Sequence, residues 1–305
     1  EVFARGQELL EAGLDSLKIE GRAKSAYYAA MVTAAYRRAL DNALAGKAPQ
    51  PGDREELLAR LPEEGVVGVC ECATHSGDAA LAVALAHKFP YVWAAVGIHP
   101  ESLIEEDAAT VAVYRGDWAA ELRDMAPLFE DERVVAVGEC GLDHHWPIPE
   151  QAQLDLLEAQ LKLARELDKP IILHDREAHA PMYELLRKYK PKGILHCYSG
   201  SADDAEWLTA QGLYLGFGGS ATFKGARRAL EAAKATPPEQ LLLETDCPYM
   251  APVPFRGKRN DSGLIAHTAA VLARELDVPE EELLTRTAAN ARRVFGLEEG
   301  GPGTV

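Results

Sequence analysis

The stretch Val134–Asp143 reads VVAVGECGLD, an apolar, β-branched run that ends on a carboxylate, a thiol and a glycine turn. A strand with one wet face alternates polar and apolar residues. A run apolar on both faces is what a parallel strand covered on both sides requires. Outward from this stretch the same pattern recurs as GVVGVCEC (65–72), YVWAAVGIHP (91–100), PIILHDRE (170–177), GILHCYSG (193–200), LYLGFGGS (213–220) and LLLETDCP (241–248). Between the runs lie Ala-, Leu- and charge-rich segments, so the text from Gly65 to Asp246 reads as βα alternation.

One intervening segment, QAQLDLLEAQLKLARELDK, sets Leu154, Leu157, Leu161 and Ala164 at steps of three and four and stops before Pro170. That spacing predicts an outer helix with one apolar stripe against the sheet. An eighth unit is expected upstream, with LDSLKIEG as strand and a ladder of Tyr28, Val32, Tyr36 and Leu40 on its helix. Eight such units close a TIM (β/α)8 barrel, which is the α/β fold expected here. The Pro- and Gly-rich AGKAPQPGD (45–53) reads as a linker after that first unit.

Composition narrows the class. With 305 residues and 47% hydrophobic content the chain suits one large domain, and no apolar run reaches the roughly 20 residues that span a bilayer. Neither a membrane span nor a signal peptide is read, so the expectation is a cytoplasmic monomer without a membrane partner. The start at Glu-Val suggests a processed or fragmentary N-terminus. Five scattered cysteines do not form the even framework of a secreted disulfide fold, and Cys70-Glu-Cys72 lacks the second pair of a zinc knuckle. Forty-eight acidic against 32 basic side chains leave a net charge of −16, which opposes non-specific attraction to a polyanion. A phosphate-bearing substrate therefore needs local recognition.

Barrel chemistry sits at the C-terminal ends of strands. His99, Glu139, His174, His196 and Asp246 stand at the tips of five of the seven runs. Singly, each has an ordinary explanation: His99 would cap a helix, and Asp246 would open the turn at Cys247-Pro248. Together, imidazoles and carboxylates on one rim form the ligand mixture of Zn²⁺, Mn²⁺ or a similar divalent ion. Such an ion makes hydrolysis the default reaction. Asp246, with no basic residue near it in its strand, is either the proton acceptor from water or a further ligand.

Cations suited to phosphate follow the same tips. Arg176 lies two residues past His174, and PFRGKRND carries Arg256, Lys258 and Arg259 on a loop after Asp246. Arg227 and Arg228 read as solvated surface, and His75, His87, His179 and His267, in polar or helical contexts, as surface or capping residues. Adjacent His144 and His145 point opposite ways in extended chain and cannot jointly chelate with ease. GFGGS lacks the lysine and spacing of a phosphate-cradling loop.

The motifs VGIHPE, VGECGLDHHW, PIILHDRE, GILHCYSGS and LLLETDCPYMAPVPFRGKRN together resemble the TatD family of metal-dependent deoxyribonucleases, from about Asp53 to the end. The resemblance implies a TIM barrel of the metal-dependent hydrolase type, one or two divalent ions (Zn, Mg or Mn), and hydrolysis of DNA phosphodiesters, often exonucleolytic and in the 3'-5' direction. It further implies Glu139 as the metal-bridging carboxylate, His174 and His196 as metal ligands, Asp246 as catalytic or metal-binding acid, and His99 lining the site. Substrate contacts are expected from His99, Arg176, Arg256 and Arg259.

The family's opening Asp-x-His-x-His is missing, and no H-x-H occurs anywhere in the chain. Leu9–Asp41 instead resembles a fragment of the collagenase-like peptidase family, whose SxKIEGRxKS pattern it matches. Expected domains are therefore residues 1–48, the peptidase-like segment, and 49–300, the barrel with its first βα unit replaced or atypical. If the graft serves as first strand, the two-residue period turns Lys18 and Glu20 toward the vacant ligand positions. Three functions stand open at this point: a DNA phosphodiesterase, a catalytically impaired barrel or fusion product kept for binding, and an amidohydrolase acting on an amide.

Overall fold

The computed structural model describes residues 52–297. The chain divides into two units, 1–61 and 62–305; helix α1 (Gly52–Arg60) belongs to the first, and every strand belongs to the second. The proposed first strand, with Lys18 and Glu20, lies outside the described residues.

Seven strands form one sheet in sequential order: β1 (Val69–Cys72), β2 (Val92–Val96), β3 (Val134–Asp143), β4 (Ile171–Arg176), β5 (Gly193–Leu195), β6 (Tyr214–Phe217) and β7 (Leu241–Leu243). Every neighbouring pair is parallel. The helices between them are α2 (Ser76–Lys88), α3 (Trp118–Asp124), α4 (Glu150–Glu166), α5 (His179–Tyr189), α6 (Ala202–Ala210) and α7 (Arg227–Ala235); α8 (Ile265–Leu276) and α9 (Glu280–Phe295) follow β7. This is the curled wall of a TIM-type barrel, with the runs of β2, β3 and β5 buried almost throughout as their sequences require, while β1, first in the order, is only half-buried. All ten residues of β3 are buried or nearly so, which is why its run is apolar throughout.

Ala95, Ala136, Ile172, Ile194 and Leu242 pack into one cluster, joined at its edge by Cys70 and Cys72. His174, His196 and Glu244 each stand two residues beyond a member of that cluster. The strand period therefore aims all three side chains along the same inner face, one layer nearer the strand ends. Register also brings β3 and β4 close, with Gly141 opposite His174 and Asp143 opposite Arg176. A Cβ on Gly141 would stand 1.9 Å from the His174 carbonyl oxygen, so only glycine permits this approach.

Helix α4 departs from the expected stripe. Its buried face is Gln153, Leu156, Leu157, Gln160, Leu161 and Ala164, while Leu154 is only partly covered. The two glutamines are buried because they supply hydrogen bonds that neighbouring strands do not. Gln160 accepts from the Ile98 N–H at 2.8 Å and donates to its carbonyl at 3.0 Å. Gln153 accepts from the Asp143 N–H at 2.7 Å and donates to its carbonyl at 2.9 Å. Buried backbone groups must find partners, and here side chains on a helix stand in for a missing ladder. Both anchored positions adjoin the rim that carries the polar tips.

Candidate metal centre

Glu139 is the hub. Its Oε1 lies 2.7 Å from His196 Nε2, 3.2 Å from His174 Nδ1 and 3.4 Å from His99 Nε2. His174 Nδ1 and His196 Nε2 are 3.4 Å apart, and the ligand-type atoms of His99, Glu139 and His174 all fall within 4.8 Å of one another. Three imidazoles far apart in sequence thus converge on one carboxylate oxygen.

The hydrogen bonds behind each ring fix which nitrogen carries a proton. His174 Nε2 is 3.0 Å from Asp143 Oδ2, an oxygen of a fully buried side chain. The N–H donates there, which leaves the Nδ1 lone pair facing Glu139. A bare lone pair against a carboxylate oxygen at 3.2 Å is repulsive unless a cation, a proton or a metal ion, lies between them. His99 is different. Its Nδ1 accepts from the Glu101 N–H at 3.2 Å and caps the short helix Pro100–Leu103, so the neutral ring carries its proton on Nε2. His99 is therefore a donor toward Glu139 or toward a substrate oxygen. Distance alone would group it with the ligands, but its hydrogen-bond pattern argues against that.

Sequence reasoning missed two acids. Asp143 ends the quoted run and shares the inward face of Glu139 by the two-residue period, a signal present in the text. Its carboxylate accepts from the N–H of His145 at 2.8 Å and of Trp146 at 3.3 Å besides holding His174. Glu244 stands two residues before Asp246. Its Oε1 accepts from the Cys197 N–H at 2.7 Å and lies 3.9 Å from His196 Nδ1. A Cβ on Gly216 would meet its Oε2 at 2.3 Å, so that glycine makes room for the carboxylate.

The electrostatics follow from these contacts. Burial alone would raise Glu139, yet His196, His174 and His99 hold it well below the usual carboxylate range. Burial would lower His196, but Glu139, Glu244 and Asp246 push it up to about 10. Burial likewise opposes the charge on Asp143, and hydrogen bonds from His174, His145 and Trp146 bring its carboxyl down to about 2. Glu244 goes the other way: burial, with Asp246 and Glu139 adding to it, lifts its carboxyl to about 7. The cluster thus already holds a cation in the form of a proton. Its imidazole and carboxylate donors fit a divalent ion that would displace that proton.

Asp246 lies within the field of this cluster. Burial raises its pKa and Glu139 adds to the rise, against the pull of His196, His174 and His99. Its carboxylate makes no hydrogen bond or ion pair among the described residues, and its backbone sits at φ 54°, a conformation that non-glycine residues rarely adopt. The expected cations are spread along the rim. Arg176 is exposed with its guanidinium 5.9 Å from the Trp146 ring, and Arg256 lies exposed 4.4 Å from the Phe223 ring. Arg259 is also exposed on that loop. Among the described residues neither Arg176 nor Arg256 makes a hydrogen bond or ion pair to the imidazole cluster. His75, discounted as a ligand, caps α2 by accepting from Gly77 N–H at 2.9 Å.

A parallel barrel wall with imidazoles and carboxylates gathered at one end defines a metal-dependent hydrolase. Residues 41–296 match the family described as TatD related DNase, and the chain belongs to it. It is 35% identical over 252 residues to the uncharacterized metal-dependent hydrolase YabD of Bacillus subtilis, covering 80% of this chain and 93% of that one. Identity to the 3'-5' ssDNA/RNA exonuclease TatD of Erwinia tasmaniensis is also 35%, over 256 residues, 80% of this chain and 94% of the other. Among solved structures, the TatD homologue YJJV of Escherichia coli superposes with a TM-score of 0.72 at 31% identity, over 81% of this chain and 93% of its own. Residues 2–66 match peptidase family U32. Among the described residues no helix is long and apolar enough to cross a membrane.

Proposed function

We propose that this chain is a divalent-metal-dependent phosphodiesterase that shortens single-stranded nucleic acid, DNA foremost, from the 3' end. The observation that carries the reading is the Glu139 oxygen, set 2.7 and 3.2 Å from two imidazole nitrogens, the second on a ring whose far nitrogen is engaged by Asp143. Glu139, His174 and His196 would hold the ion, which when bound supplies Lewis acidity to a phosphoryl oxygen and acidifies water. Asp246, ionised and made more basic than an ordinary carboxylate by its burial, takes the proton from the attacking water. His99 donates its Nε2–H to a phosphoryl oxygen, and Arg176, Arg256 and Arg259 meet phosphates along the rim. The name carried by the Erwinia relative supports the substrate class.

The absence of H-x-H removes two imidazoles from the family pattern, so the reading assigns one tightly held ion to Glu139, His174 and His196. It also assigns residues 49–300 to the barrel and 1–48 to the peptidase-like segment. The test is release of nucleotides from a 3'-labelled single strand with Mg²⁺, Mn²⁺ or Zn²⁺, and its loss in Glu139→Gln. No turnover with any of the three ions would overturn the nuclease reading and favour an impaired barrel. Faster turnover of amides than of phosphodiesters would favour the amidohydrolase.

A further inference from the structure

The nuclease reading leaves two large aromatic side chains unused at the mouth. Trp146 is 45% exposed and Tyr249 70% exposed, and each lies three residues past an acid of the site, Asp143 and Asp246. We propose that these two rings are stacking platforms for unpaired nucleobases, and that they select single-stranded substrate; the inference rests on the nuclease reading.

Trp146 is held as a fixed plane. Its backbone N–H donates to Asp143 Oδ1 at 3.3 Å, the carboxylate whose other oxygen orients His174. Its indole N–H donates to Glu101 Oε1 at 3.1 Å, and the Glu101 N–H in turn donates to His99 Nδ1. The ring is thus tied to the supports of two imidazoles of the site, and His145 packs edge-on against it at 5.0 Å. Arg176 lies 5.9 Å from the ring, where a cation can meet the phosphate of a nucleotide whose base stacks on the indole.

Tyr249 is fixed by its backbone instead. Its N–H donates to the Asp246 carbonyl at 2.9 Å, and its carbonyl accepts at 2.7 Å from the amide of Asn260, a residue only 1% exposed. A pinned backbone beneath an exposed phenol presents a surface ready for a partner. Sheet order runs from β1 to β7, so the two rings follow β3 and β7, four strands apart around the rim.

Charge argues for bases over backbone. A protein of net charge −16 gains little from phosphate attraction. Stacking needs no net charge and tolerates any base, because every base has a π-face. Duplexed bases offer no free face, so the same rings discriminate against double strands.

The test compares Trp146→Ala, Trp146→Phe and Tyr249→Ala with the unaltered full chain in Mn²⁺. Substrates are a single-stranded oligothymidylate, an abasic strand of equal phosphate count, and bis(p-nitrophenyl) phosphate. Each alanine variant is expected to raise KM for the base-bearing strand about tenfold, with Trp146→Phe near the unaltered value. KM for the abasic strand stays unchanged in every variant, and in Tyr249→Ala turnover of the small diester stays unchanged as well. Equal KM on the base-bearing strand, or an equal rise on the abasic one, overturns the inference. Should the unaltered protein cleave none of the three, the nuclease reading falls and binding decides the stacking. Quenching of tryptophan fluorescence by oligothymidylate, missing with the abasic strand and diminished in Trp146→Phe, sustains it; no quenching ends it.

Discussion

Replacing Asp143 by Asn changes one atom in the buried support of the site and should still cripple metal binding. The Asp143 carboxylate accepts three hydrogen bonds, from His145 N at 2.8 Å, Trp146 N at 3.3 Å and His174 Nε2 at 3.0 Å. In the amide only one oxygen remains, and two backbone N–H groups that cannot move claim it. The amide nitrogen must then face His174 Nε2, donor against donor. The ring escapes by moving its proton to Nδ1, which removes the lone pair the ion needs. Binding metal reverses that shift and leaves two donors opposed, at a cost of about 1–3 kcal/mol. Outer partners of metal-binding histidines are worth about 10–100-fold in affinity, which agrees with that range. Competition with a chromophoric chelator for Zn²⁺ measures the loss, and the thermal midpoint of the metal-free protein checks that the fold is intact, since Gln153 still holds the Asp143 backbone. An affinity within twofold of the unaltered protein, at an unchanged midpoint, would refute the assignment of the His174 tautomer.

Three further outcomes follow. His196 holds its proton up to about pH 10, so at neutral pH an incoming ion must displace it; about one proton should be released per ion, and affinity should rise about tenfold per pH unit between pH 6 and 8, measured by calorimetry in buffers of different ionisation enthalpy. In the metal-free protein the sign is opposite: a raised histidine pKa stabilises the fold fully below the ordinary value of 6.5, and that contribution fades as pH climbs through about 10. Gln160→Leu keeps the volume but strips both Ile98 backbone groups of their partners, and with each orphan worth about 1–3 kcal/mol the urea midpoint should fall by the equivalent of about 2–6 kcal/mol.

The sequence reading reached the strands because burial on both faces leaves a mark that hydropathy reports directly: β3 is apolar from Val134 to Val137 and its ten residues are covered or nearly so. It picked out His174, His196 and Glu139, which the structure brings together, because a polar residue closing an apolar run is conspicuous. It did not reach Asp143 or Glu244. Both end or follow such runs, but each acts on a histidine of a neighbouring strand or one further along the sheet, and only register, with Asp143 opposite Arg176 and hence beside His174, shows the pairing. The α4 stripe holds at Leu157, Leu161 and Ala164 but is incomplete for a related reason. Gln153 and Gln160 count as polar on any hydropathy scale, yet they are fully buried because unpaired backbone groups at the strand ends need them.

These errors share one physical origin. Hydropathy tracks side-chain transfer from water, which dominates where strands and helices pack. At the rim of the barrel the ladders run out, and hydrogen-bond demand decides what is buried. Asp143 shows the consequence: one buried carboxylate satisfies two backbone N–H groups and the proton of His174 at once, so holding the chain in place and preparing the metal site are the same act. A site built this way tolerates apolar substitutions in the wall beneath it better than an isosteric exchange at Asp143. The shape of the wall can relax around a changed methyl group, whereas three donors converging on one carboxylate have no second arrangement.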